Sequence, residues 1–203
     1  MKDLYVDHEK HLYYYKGELK PCVSDILKIV DSIAMEGIPR ANIEKAAERG
    51  KKVHEITEDY ECGLIDILED EWVQENTEYI NYLYAYINFM NEHKEIPIAI
   101  EESLYSEKYG YAGTIDLVKF MDGTLYILDK KTSKTISCLR NTLQLNAYRL
   151  MWNEVYPNLK VERLKVIQLS DNGEHRLIDI PVNEELFLTY LNIFKQIKGD
   201  KKL

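Results

Sequence analysis

The chain has 203 residues, 45% of them hydrophobic and 30% charged, a profile that excludes a disordered chain, a collagen-like repeat and a disulfide-stapled miniprotein. No apolar run approaches the ~20 residues that would span a bilayer. With 26 Lys and Arg against 35 Asp and Glu the net charge is −9, which argues against a protein that coats nucleic acid non-specifically but leaves room for an enzyme combining acidic metal ligands with a local basic groove.

In chain order, residues 11–20 read as a short extended segment or hairpin, with Tyr13 to Tyr15 before a turn at Lys16-Gly17-Glu18. Pro21 follows, and Ser24 can cap a helix reaching Val30. Asn42 can cap a second helix, about 43–61, whose Ala46, Ala47, Gly50, Val53, His54 and Thr57 lie broadly on one side. A third helix is predicted over 69–92, including Trp72, Tyr79 and Tyr86. The pattern then turns to strands over 96–105, 112–120 and 124–131, the last two joined by the hairpin signal Asp122-Gly123. A helix over 137–155, strands over 161–169 and 175–182, and a final helix capped by Asn183 complete the chain. The fold class predicted is α/β (α+β): a mixed central sheet flanked by helices, in one domain over 1–203 with a helical N-terminal part, 1–95, and a catalytic core, 96–182. The hairpin excludes an all-parallel Rossmann sheet, and neither GxGxxG nor GxxxxGK[ST] is present. The amino terminus carries no apolar signal-peptide stretch, so a cytoplasmic location is expected. Cys22, Cys62 and Cys138, odd in number and without CxxC spacing, read as free thiols. The 16 Tyr read first as amphipathic packing at the rim of the core.

The stretch that carries chemistry is Gly113-Thr-Ile-Asp116 followed by Asp129-Lys-Lys131-Thr132. Residues i and i+2 of a strand share a face, ~6.6 Å apart. Asp129 and Lys131 therefore share a face and Lys130 points away, while pairing across the hairpin can bring Asp116 close to Asp129. Two carboxylates placed together need a cation, and hard oxygen ligands suit Mg²⁺ or Mn²⁺. A DxK triplet alone is common on solvated surfaces; the second Asp in the paired strand is what singles this one out.

Four elements in order resemble the PD-(D/E)XK nuclease superfamily, in its RecB-like branch that includes phage-type exonucleases. They are Ala47-Glu-Arg-Gly50-Lys-Lys-Val-His54, Gly113-Thr-Ile-Asp116, Asp129-Lys-Lys131-Thr132 and Gln144-Leu-Asn-Ala-Tyr148. Leu19-Lys-Pro21-Cys-Val-Ser24-Asp-Ile-Leu27 is similar to the opening of the phage members, and the resemblance spans about 11–182. It implies a restriction-endonuclease-like core and metal-dependent cleavage of DNA. By residue, it implies Asp116 and Asp129 as metal-binding carboxylates, Lys131 as catalytic lysine, His54 as a further ligand and the Lys130 carbonyl as another. One or two Mg²⁺ or Mn²⁺ ions are implied, and a His ligand tilts the preference toward Mn²⁺. Gln144 and Tyr148, four apart on a helix, are supporting candidates, as is Glu101, with Glu102 the competing acid on that strand. Three scattered Cys cannot supply the four-Cys iron–sulfur cluster of some relatives, so no iron–sulfur cluster is expected. DNA is the expected substrate, and a single-strand annealing or recombination protein a possible partner; the oligomeric state is open. An exonuclease, an endonuclease or nickase, and a non-catalytic DNA-binding module on the same fold stand as alternatives. From Lys130 to Arg149 the chain has Lys130, Lys131, Lys134, Arg140 and Arg149 and no acid, a phosphate-track signature that nominates Lys134 and Arg140 for DNA. Tyr105, Tyr109 and Tyr111 either stack on a frayed base or cap the sheet.

Overall fold

A computed structural model describes residues 3–34, 37, 39–64 and 76–200. The amino terminus folds into a small antiparallel sheet of β1 (Leu4–Asp7), β2 (Leu12–Tyr15) and β3 (Glu18–Lys20), in that order. The N-terminal part is thus not wholly helical. The expected hairpin over 11–20 is β2–β3, turned at Lys16 (φ 52°) and Gly17 (φ 78°), and β1 adds a strand that its short, polar surroundings conceal.

Helices α1 (Val23–Ala34), α2 (Arg40–Glu61) and α3 (Ile80–Glu92) follow. Neither expected cap forms at α1 or α2. Ser24 lies inside α1, where Asp25 accepts from the Cys22 N–H at 3.2 Å, and α2 begins two residues before Asn42, after Pro39. Pro is favourable there because it has no N–H to leave unpaired and its φ suits a helix start. Of the helix expected over 69–92, residues 69–75, Trp72 included, lie outside the described residues.

The main sheet has the order β4 (Pro97–Ser106), β5 (Tyr111–Met121), β6 (Thr124–Lys131), β7 (Arg163–Leu169), β8 (His175–Ile180). Only β6–β7 is parallel, and its crossover is α4 (Cys138–Val155). The sheet is mixed and flanked by helices, as the sequence predicts. The Asp122-Gly123 turn has both residues at positive φ (51° and 76°), the geometry of a two-residue hairpin with the strands' own twist. One face carries the larger core, with Val23, Ile26 and Leu27 of α1, Leu143, Ala147, Met151 and Trp152 of α4, and Phe187 and Leu191 of α5 (Glu184–Asp200). Because α5 packs into that core, the folded unit runs past residue 182. Its start is capped as expected, Asn183 Oδ1 accepting from the Leu186 N–H at 3.1 Å. The other face packs Val53 of α2 and Tyr82, Ala85, Tyr86 and Phe89 of α3 onto Leu117, Leu128, Ile167 and Leu169. No helix among the described residues is long and apolar enough to cross a membrane.

Side-chain alternation breaks at one place. Ile115 and Leu104 join the first core; Leu117 and Ile100 join the second, although residues two or four apart on a regular strand share a face. The shift falls at Glu101 on β4 and Asp116 on β5. Each strand spends one extra residue there, so the register is the same on both sides, Ile100↔Leu117 and Glu102↔Ile115. Glu101 takes φ 46°, a left-handed backbone that is costly for a non-glycine residue inside a strand. Extending the β5–β6 register of Leu117↔Leu128 by one step sets Asp116 opposite Asp129. Glu101, Asp116 and Asp129 thus stand in one row across three adjacent strands.

Candidate metal centre

Helix α2 crosses this row and delivers His54, whose Nε2–H donates to the Lys130 carbonyl at 3.0 Å. That bond turns Nδ1 toward Asp116 Oδ2, 3.5 Å away, and Glu101 Oε1, 3.7 Å away. His54, Glu101 and Asp116 have ligand atoms within 4.8 Å of one another and could hold a metal ion. The donor set of one imidazole and carboxylates suits a first-row or alkaline-earth divalent ion. Burial works against a charged His54, but the Asp116 carboxylate and Glu101 outweigh it, so its pKa lies above the usual value. Burial likewise works against an ionised Glu101, and His54 and Lys130 overcome it, holding that carboxyl below its usual range. Asp116 is fixed by the backbone: its Oδ2 accepts from the Lys130 N–H at 2.8 Å, replacing the ladder bond lost where the β5–β6 pairing stops.

Asp129 lies beside this group and is held from two sides. Lys131 Nζ is 2.5 Å from its Oδ2, and Gln144 Nε2 donates to its Oδ1 at 2.9 Å. Burial dominates here and pushes the Asp129 carboxyl upward, against the pull of Lys131. Gln144 also reaches Tyr148 Oη at 3.2 Å, so the two residues of one α4 face act as a unit behind Asp129. Gly113 lets that unit approach: a Cβ there would lie 2.9 Å from Tyr148 Cε1 and 3.1 Å from Val23 Cγ2.

The side chain of Lys130 does point away from Asp129 and Lys131, into the second core. It is fully buried over the Tyr86 ring, with Nζ 5.4 Å from the centroid, 3.3 Å from Glu101 Oε1 and 4.0 Å from Glu61 Oε2. Tyr86 donates its hydroxyl to the other Glu61 oxygen. Burial pushes the Glu61 carboxyl up to about 7, Lys130 pulling it down and Glu101 adding to the rise.

The basic segment does not form a track. Arg140 is engaged by Asp31 (2.7 Å) and donates to Gln144 Oε1 at 3.0 Å, bracing the glutamine from behind. Arg149 pairs with Glu184 and donates to the Val161 carbonyl, Lys131 faces Asp129, and Lys130 is buried. Lys134 keeps its charge outward, 89% exposed and 3.9 Å from Asp171. A run without acids in sequence found its acids in the fold. Nor do the three tyrosines make a platform: Tyr105 is buried against the Tyr15 ring at 4.2 Å, and buried Tyr111 donates to the Ala147 carbonyl.

Sequence reasoning missed Glu61, Arg49 and Asp31. Glu61 is seven residues after His54, hence on the same helix face, and that spacing was a readable signal. Arg49, inside the Ala47–His54 motif, donates to Thr132 Oγ1 (3.2 Å) and to the Thr132 carbonyl (3.4 Å), pinning the chain just after Lys131. No local signal marks Asp31, which is 109 positions from Arg140.

No family model matches the chain, and no curated protein matches it. Among solved structures, the chain is similar to a proposed exonuclease from Eubacterium rectale, with 12% identity and a TM-score of 0.49 over 75% of this chain. The match spans 65% of that protein's length, just under two-thirds.

Proposed function

We propose that the chain is a metal-dependent deoxyribonuclease of the PD-(D/E)XK superfamily, RecB-like branch, acting as an exonuclease on DNA in phage or bacterial DNA recombination or processing, in the cytoplasm. The observation that carries this reading is the convergence of His54, Asp116, Asp129 and Lys131 at the end of the β5–β6 pairing, with the Lys130 carbonyl among them. The carboxylates of Glu101 and Asp116 beside the His54 imidazole fit a bound cation, with Asp129, paired to Lys131, next in the row. His54, Asp116, Asp129 and the Lys130 carbonyl would hold Mg²⁺ or Mn²⁺, with Glu101 beside them. Such an ion, when bound, supplies an activated water and charge neutralisation at a phosphate.

The chain's own groups do the rest. Lys131, itself partly exposed, holds its ammonium against Asp129, where it would stabilise negative charge developing on the scissile phosphate. Asp129 aims that ammonium, Gln144 aims Asp129, and Arg140 with Tyr148 fixes Gln144. Lys134, exposed nearby in sequence, is the remaining candidate for a phosphate contact. A recombination protein that anneals single strands is a proposed partner. Digestion of end-labelled linear and covalently closed circular DNA, single- and double-stranded, with Mn²⁺, Mg²⁺ or EDTA tests the reading. Loss of label from linear DNA alone, abolished by EDTA, supports it; cutting of circles makes the enzyme an endonuclease; no cutting of any substrate overturns it.

A further inference from the structure

Resting on that reading of the centre, we propose that the Lys130 ammonium is a resident cation that sits between Glu61 and Glu101 beside the carboxylate row and limits the site to a single divalent ion. Four carboxylates meet at this point: Glu61, Glu101, Asp116 and Asp129. Lys131 serves Asp129. Glu61 and Glu101 face Lys130, which reaches them by strand alternation alone: Asp129 and Lys131 face one side of β6, so the residue between them must face the other.

The geometry is that of charges gathered around a cation. Lys130 Nζ, Glu101 Oε1 and Glu61 Oε2 are all buried, and none completes a well-formed hydrogen bond. The ammonium lies 3.3 Å from Glu101 and 4.0 Å from Glu61, with the Tyr86 ring as a further wall at 5.4 Å. The Glu101 oxygen nearest Lys130 is also the one nearest His54 Nδ1, 3.7 Å away. Glu101 is therefore shared between the Lys130 ammonium and the His54–Asp116 group, both on the side of the sheet where α2 packs. Glu101 takes this shared position with a left-handed backbone, φ 46°. A second divalent ion needs carboxylate ligands of its own. Of the two beside Lys130, Glu101 is already shared with the ammonium and Glu61 accepts from the Tyr86 hydroxyl, and an ion entering beside that ammonium meets a like charge at short range.

The test is the number of Mn²⁺ ions bound per full-length chain, counted by equilibrium dialysis and by the electron paramagnetic resonance of free Mn²⁺, without DNA and without reference to activity. Wild type should saturate at one. Lys130→Met removes the ammonium, keeps the backbone carbonyl and approximates the stem; it should saturate at two and gain more thermal stability from Mn²⁺ than wild type does. Lys130→Arg, which keeps a charge, should stay at one. Where Lys130→Met needs the ion in order to fold, the count is made on protein refolded in Mn²⁺ and freed of excess. A wild-type count of two overturns the proposal, and so does a count of one for folded Lys130→Met. A wild-type count of none overturns the metal centre itself, and the proposal with it.

Discussion

Gly113→Ala is the substitution whose consequences can be traced furthest. The new methyl carbon would sit 2.9 Å from Tyr148 Cε1, 3.1 Å from Val23 Cγ2 and 3.5 Å from Met151 Cε. The first distance is closer than real contacts allow, and none of the three neighbours is the loose end of an exposed chain. Tyr148 is buried and tied through its hydroxyl to Gln144; Val23 is buried in the same core. The strand cannot retreat, because Gly113 is paired with Leu104 on β4. Overpacking of this kind costs about 1–3 kcal/mol. For a domain near 200 residues that corresponds to a melting temperature lower by roughly 2–12 °C. The displaced ring also pulls on Gln144 and so on Asp129, so cleavage should fall more than folded content does. Thermal unfolding in EDTA measures the first effect. A double-mutant cycle with Tyr148→Leu measures its origin: removing the ring should make the alanine easier to accommodate, with a coupling of about 0.5 kcal/mol or more. An unchanged melting temperature, or strictly additive changes, would refute the reasoning.

Three further outcomes follow from the site. Asp116→Asn and Asp116→Ala should both abolish cleavage, but only Asn keeps an acceptor for the Lys130 N–H, so Ala should melt lower by the equivalent of about 1–3 kcal/mol; equal apo stabilities would mean that the 2.8 Å bond is not a restraint. Lys131→Ala should lower the single-turnover rate by about two to three decades with a smaller change in DNA affinity, and Lys131→Arg should not restore it, because a planar guanidinium directs its charge differently; normal turnover at saturating DNA would make Lys131 a binding residue. In the metal-free protein the raised His54 pKa contributes stability that is present at low pH and lost as pH rises through that pKa, and a proton there competes with a metal ion. Apparent Mn²⁺ affinity should therefore rise with pH across and above the ordinary histidine range, with the slope flattened in His54→Ala, as metal titrations at several pH values would show.

What was legible in the sequence is what has a local signature. The Asp122-Gly123 turn and the alternation around it follow from short-range periodicity and take their expected places; Gln144 and Tyr148, singled out by the resemblance, share one face of α4 and a hydrogen bond. Helix α4 takes its expected span, although Asn141, Thr142, Gln144 and Asn146 are all buried and leave it no apolar stripe; its Ser137 cap, accepting from the Arg140 N–H, is seen only in the structure. Buried charge was not legible. Lys119 is buried, donating to the Glu95 carbonyl, and Lys130, which the sequence counts in a basic run, lies buried beside Glu61 and Glu101. A strand shows which side a residue faces, not what waits there. The acids that engage Arg140 and Arg149 were hidden for the same reason, since Asp31 and Glu184 come from distant helices. The paired irregularity at Glu101 and Asp116 has no sequence mark at all, because neither position is glycine and the register around it is unbroken.

The central claim is that the His54, Asp116, Asp129 and Lys131 cluster hydrolyses DNA with a divalent ion. The most direct measurement is single-turnover cleavage of end-labelled linear DNA by wild type and Asp116→Asn, matched for folded content, in Mn²⁺ and then after EDTA. The account predicts release of label by wild type in Mn²⁺, none after chelation, and none from Asp116→Asn under either condition. Cleavage by wild type that survives EDTA, or cleavage by Asp116→Asn at the wild-type rate, would contradict it.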